Sequence, residues 1–155
     1  MKIRKAENKD INSIIDILSE VLDVHAKLRP DIFISGTTKY TYQELEKMIK
    51  DDNLYIFVVD LDDVVAGYAI CELHQPKFTN TMKQHKIFYI DDFCISSKFR
   101  RKHLGEALFN FLKEEAKILR CYEITLAAWE GNEAAEAFYQ KMGLKTKYKT
   151  LEYII

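Results

Sequence analysis

Scarcity narrows the class of this chain first. Two prolines and five glycines in 155 residues, scattered rather than clustered, leave no linker, low-complexity segment or internal repeat, so the chain reads as one domain over residues 1–155. The three cysteines are odd in number, and Cys71, Cys94 and Cys121 each sit inside a strand-like apolar run. None has the close partner that a zinc site needs, so they read as free buried thiols and no metal is expected. Neither sign of charge dominates: 23 basic and 24 acidic side chains leave a net charge of −1, which removes any global attraction to nucleic acid or to an anionic membrane. No window approaches about 18 consecutive apolar residues, and the stretch from Met1 to Asp10 is charged without an apolar core, so neither a spanning helix nor a secretion signal is expected. The expectation is a cytoplasmic protein with no membrane or nucleic-acid partner.

The rest is ordinary globular material, 48% apolar and 30% charged, in a chain long enough to bury about two-thirds of its unfolded surface. "KIRKA" from Lys2 to Ala6 predicts a short first strand. Ile11, Ile14, Ile15, Leu18 and Leu22 recur at the period of one helix face, predicting a helix over about residues 10–28, ahead of Pro30. "TYQELEKMIK" predicts a second helix, and "LYIFVVD", "LDD" and "VVAGYAICEL" predict a strand, a turn and a returning strand. A polar loop from His74 to His85, a lid or a mere surface excursion, leads to a strand over about residues 87–95. Leu104, Ala107, Leu108, Phe111, Leu112 and Leu119 form a third helical stripe. "YEITLAAW" then predicts a strand, "NEAAEAFYQKM" a fourth helix stopped by Gly143, and "LKTKYKTLEYII" one or two closing strands. This order predicts an α+β fold, a mixed and mostly antiparallel central sheet with helices on both faces.

The densest basic run, "FRRKHLGEAL" from Phe99 to Leu108, lies where the strand "YIDDFCI" hands over to a helix. A helix N-terminus presents unsatisfied N–H groups and the positive end of its dipole, so Arg100, Arg101 and Lys102 fall where a phosphate would lie. The same run also suits a solvated turn. Arg100 to Gly105 resembles the [Q/R]-x-x-G-x-[G/A] signature of the GCN5-related N-acetyltransferase (GNAT) family, with His103 in place of the usual first glycine and Gly105 as the second. "NEAAEAFYQKMGL", Asn132 to Leu144, resembles the later family motif N-x-x-A-x-x-F-Y-x-x-x-G-[FL] at every position. The likeness covers about the last 70 residues and is greatest to small bacterial members of the family.

The resemblance implies an N-acetyltransferase that uses acetyl-CoA as co-substrate and transfers acetyl directly to a primary amine in a ternary complex. A small-molecule acceptor is expected, with a protein N-terminus or lysine as the alternative. A non-catalytic acetyl-CoA-binding module is a third reading, and a homodimer is compatible with all three. The resemblance further implies that the backbone from Arg101 through Lys102, His103, Leu104 and Gly105 to Glu106 cradles the pyrophosphate. By the same resemblance Phe93, Cys94 and Ile95 pair with the pantetheine arm, and Asn132 and Phe138 border the cofactor. Asn132 is equally natural as a helix N-cap. Tyr139 matches the family's tyrosine, whose ordinary pKa of about 10 suits proton donation to a departing thiolate.

An acceptor ammonium must also lose a proton. Asp91 and Asp92 interrupt an apolar strand, where unpaired charge is costly. Adjacent strand residues face opposite ways, which favours Asp91, sharing parity with Phe93 and Ile95, as the base; a bulge would pass the role to Asp92, and a water relay is a further route. The resemblance implies an acceptor pocket built partly from the N-terminal helical region, which makes His25, Arg29 and Phe33 candidates to line it, with packing and surface as the alternative; Trp129 reads as packing.

Overall fold

The computed structural model describes residues 1–77 and 80–155. Of the expected polar loop, residues 78 and 79 lie outside the described residues, so its reading as a lid is carried no further. Among the described residues five strands, β1 (Lys2–Lys5), β2 (Leu54–Leu61), β3 (Val64–His74), β4 (Ile87–Ile95) and β5 (Glu123–Leu126), form one sheet in that spatial order. The first four pair antiparallel, and β4 pairs parallel with β5. The β2–β3 turn places Asp62 and Asp63 at φ 52° and 69°, the two left-handed residues that a tight hairpin requires.

Among the described residues four α-helices cover the sheet: α1 (Ile11–Leu28), α2 (Tyr42–Ile49), α3 (Leu104–Ile118) and α4 (Glu133–Lys141). Side chains alternate along the strands, so two cores form. Val58, Tyr68, Ile70 and Cys94 meet Ile11, Ile14, Leu18 and Leu45 of α1 and α2. On the other face Phe57, Ala69, Cys71, Phe88 and Ile90 meet Leu104, Leu108, Phe109 and Leu112 of α3, with Phe138 and Met142 of α4 against their edge. The predicted α+β architecture with helices on both faces is the observed one.

Three expectations need correction. β5 ends at Leu126, so Ala127 to Trp129 leave the ladder. Cys121 is only half-buried, whereas Cys71 and Cys94 are buried thiols. The closing strands over residues 144–155 do not form. A strand exists only as one side of a hydrogen-bonded ladder, and among the described residues no backbone hydrogen bond engages residues 145–155.

Candidate active site

The β4–β5 ladder runs from Ile87↔Glu123 to Ile90↔Leu126 and stops there. β4 continues for five residues, paired through Phe93↔Ala69, Cys94↔Tyr68 and Ile95↔Gly67 on its β3 side. Among the described residues the β5-side edge of Phe93, Cys94 and Ile95 has no ladder partner, leaving backbone groups available to an extended ligand. α3 begins just past that edge. Among the described residues no hydrogen bond engages the amides of Arg101 to Glu106, the donors a phosphate would need. The loop is built for this exposure: Arg101 and His103 both adopt left-handed backbone, at φ 59° and 58°.

The basic side chains divide their roles. Arg100 turns back, its Nε donating to the Ile95 carbonyl at 3.1 Å, and ties the loop to the end of β4. Lys102 lies over the Phe99 ring at 5.5 Å, while Arg101 and Lys102 are both exposed. His103 points to solvent and meets Glu106 at 3.0 Å, 79% of its side chain exposed. Gly105 has a packing reason as well, since a Cβ there would lie 3.2 Å from the Phe138 ring. Phe138 in turn stacks on Phe93 at 5.6 Å. Asn132 caps α4, its Oδ1 accepting from the Ala135 amide at 3.3 Å. Tyr139 sits 6.5 Å from Phe93, ring to ring. Burial, then Asp92 and Cys94, push its phenol upward, and among the described residues no hydrogen bond engages that hydroxyl.

The β3–β4 register slips between Ile70 and Cys71, where Ile70 faces Asp92 and Cys71 faces Ile90. Asp91 is therefore an unpaired bulge residue, and side-chain parity changes across it. Phe88 and Ile90 before the bulge, and Phe93 and Ile95 after it, all face α3. Asp91 and Asp92 both face the α1–α2 side, so the expected parity of Asp91 with Phe93 and Ile95 fails. Lys39, in the α1–α2 connection, binds the Asp91 carboxylate at 2.8 Å to each oxygen and lies 3.9 Å from Asp92. Tyr40 donates its hydroxyl to Asp91 at 2.6 Å, and Tyr68 donates to Asp92 at 3.0 Å. Burial raises the Asp92 carboxyl against the opposing pull of Lys39 and Tyr68, and only 8% of that side chain is exposed.

His25, Arg29 and Phe33 do come together. The His25 and Phe33 rings lie 5.2 Å apart, and Phe33 meets Trp129 edge-on at 5.2 Å. Arg29 lies over Trp129 at 5.7 Å and pairs with Asp31 and Glu152. Burial and then Lys39 hold the His25 imidazole below its usual value.

The family model of the acetyltransferase (GNAT) family matches residues 21–144, four-fifths of the chain. The chain belongs to the GNAT family. An uncharacterised N-acetyltransferase of Lactobacillus delbrueckii subsp. lactis is 28% identical over 154 residues, spanning 93% of this chain and 84% of its own. Glucosamine 6-phosphate N-acetyltransferase of Arabidopsis thaliana is 34% identical over 62 residues, 40% of each chain. The Bacillus halodurans protein BH1408 superposes with a TM-score of 0.95 at 26% identity, covering 100% of this chain and 99% of its own. This GNAT protein is an acetyl-CoA-dependent N-acetyltransferase. Among its described residues no group of three or more His, Cys, Asp or Glu is placed to hold a metal, and no helix is long and apolar enough to cross a membrane.

Sequence reasoning missed Lys39, Tyr40 and Tyr68 as partners of the acid pair, whereas Trp129 packs against Phe33 and Arg29. Tyr68 carried a usable signal: a tyrosine inside an otherwise apolar strand needs a partner for its hydroxyl. Lys39 and Tyr40 carried none, because only the fold brings their loop onto β4.

Proposed function

We propose that this enzyme acetylates a small-molecule primary amine by direct attack in a ternary complex, with Asp92 as base and Tyr139 as donor to the departing sulfur. The observation that carries the reading is the Asp91 bulge, which turns both carboxylates toward one face beside the open edge of β4. Acetyl-CoA supplies the activated thioester. Arg101 to Glu106 offer unengaged amides for its pyrophosphate, Arg101 and Lys102 add positive charge, and Phe93 to Ile95 offer backbone partners for its extended arm.

The two carboxylates have different roles. Asp91 is held by Lys39 and Tyr40 and serves to position them. Asp92, raised by burial, binds a proton more readily than an ordinary carboxylate and is the better acceptor from an ammonium. Tyr139 stays protonated throughout the working range and donates a hydrogen bond to the sulfur as charge develops there. The wall of His25, Phe33 and Trp129, with Arg29 on its rim, favours a compact acceptor over a long peptide.

Stopped assays of CoA release over an amine panel, run across pH, test the assignment. Tyr139→Phe lowers kcat at least tenfold with acetyl-CoA affinity nearly intact, and Asp92→Asn removes the acid limb of the kcat/KM profile. Full turnover in Tyr139→Phe with its preferred acceptor sinks the donor role, and an unaltered pH profile in Asp92→Asn sinks the base.

A further inference from the structure

Glu20 is an acid in an unexpected place. It stands on α1, whose Ile17, Leu18 and Leu22 are buried against the sheet, and it reaches the start of the basic loop, where its charge repels any anion the loop binds. Glu20 Oε1 accepts from the Ser96 hydroxyl at 2.9 Å, and Oε2 accepts from the Ser97 amide at 2.7 Å. Burial works against the charge, but those bonds and the nearby Arg100 guanidinium hold the carboxyl below its usual value. Glu20 is therefore an ionised acceptor at neutral pH, and both serines are donors.

The loop needs such an anchor. Residues 96–103 join the end of β4 at Ile95 to the start of α3 at Leu104. One extended ligand has to meet both the amides of Arg101 to Glu106 and the open edge of Phe93 to Ile95, so the spacing of the two surfaces must be set before it binds. Arg101 and His103 carry a Cβ in left-handed backbone, a conformation that persists only where the surroundings enforce it. The Ser96 amide donates to the Ala66 carbonyl and the Phe99 amide to the Ser96 carbonyl, each at 2.9 Å. Among the described residues Glu20 is the one side chain from outside residues 95–106 that hydrogen-bonds to residues 96–103. The short 3-10 turn Ser97–Phe99 has no cap from its own Ser96 side chain; the hydroxyl goes to Glu20, which caps the turn from α1.

We propose that Glu20 is a positioning residue for acetyl-CoA. It ties α1 to the junction of β4 and the basic loop, and so fixes the phosphate donors relative to the backbone edge that meets the pantetheine arm. The inference rests on the reading of those two surfaces as the cofactor site, and not on the roles given to Asp92 and Tyr139. Glutamine preserves the tie, its Oε1 accepting from the Ser97 amide and its Nε2 donating to Ser96 Oγ. Alanine preserves neither bond and leaves the Ser96 hydroxyl, on a residue only 5% exposed, without its acceptor.

Calorimetric titration of the full chain with CoA and with acetyl-CoA tests it, beside steady-state kinetics on the best amine of the panel. Glu20→Ala weakens acetyl-CoA binding about tenfold and raises its KM by a similar factor, while kcat at saturating acetyl-CoA falls less than about twofold. Glu20→Gln restores the affinity to within about threefold of the parent. Ser96→Ala lies between parent and Glu20→Ala, and the double variant binds no worse than Glu20→Ala alone, because both changes break one contact. Hydrogen exchange of the free protein is faster over residues 97–106 in Glu20→Ala and unchanged in β2 and β3, which separates a loosened loop from a general loss of stability. If Glu20→Ala does not fold, Glu20→Gln and Ser96→Ala carry the comparison. Parental affinity in Glu20→Ala overturns the proposal, as does a loss confined to kcat or a Glu20→Gln protein that binds no better than Glu20→Ala. A parent with no affinity for CoA or acetyl-CoA overturns the cofactor reading, and the proposal falls with it.

Discussion

His103→Gly isolates the unusual residue of the phosphate loop. The histidine sits at φ 58°, ψ 12° immediately before α3, a left-handed conformation that costs a residue with a Cβ roughly 1–2 kcal/mol. Glycine removes that cost but frees the unfolded chain, which takes back about 0.5–1 kcal/mol. The His103–Glu106 contact is 79% exposed on the histidine side, and Glu106 keeps Lys141 as a partner, so its loss subtracts no more than about 0.5 kcal/mol. The balance is a gain of about 0.5 kcal/mol, which raises Tm by about 1–2 °C in a domain of this size. His103→Asn, whose side chain tolerates the left-handed region, falls between parent and glycine variant. Because the imidazole points to solvent, acetyl-CoA affinity by calorimetry changes less than about threefold, under 0.7 kcal/mol. A Tm that falls by more than 2 °C refutes the strain argument. An affinity loss of tenfold or more shows instead that the histidine holds the phosphates.

Lys39→Ala removes the cation that opposes the upward shift of Asp92, so the acid limb of kcat/KM moves to higher pH. The sign for stability follows: a carboxyl raised in the folded state loses stability as pH climbs from its unfolded value through its folded one, and the loss is larger in the variant. Thermal melts from pH 4 to 8 read the difference. Gly67→Ala places a Cβ against Ile95 Cδ1 and 2.7 Å from the Cys94 carbonyl oxygen. Backbone cannot yield as a flexible side chain does, so the cost is about 3 kcal/mol, a Tm drop of at least 6 °C, with weaker acetyl-CoA binding because the displaced residues are those of the open β4 edge.

Much of the fold was legible because its signals are local. The α1 stripe of Ile11, Ile14 and Leu18 and the apolar runs of β2 and β3 each specify an element by period alone, and these residues are the observed core. The basic loop and Asn132 were legible for the same reason, since helix termini announce themselves in adjacent residues. β5 was read too long because "YEITLAAW" has strand composition beyond Leu126, and composition cannot say where a neighbour's ladder ends. The closing strands failed similarly: residues 145–155 have the right residues but no partner within the described chain.

The sequence by itself determined the helices, the hairpin, the family and the positions of loop and tyrosine, because each depends on spacing within one short segment. Tertiary structure alone decided the surroundings of the two carboxylates. One extra residue at Asp91 relative to β3 turns two adjacent side chains to the same face, and a lysine 52 residues earlier in the chain arrives to distinguish them. Register is a property of two strands together, so no reading of β4 alone could supply it.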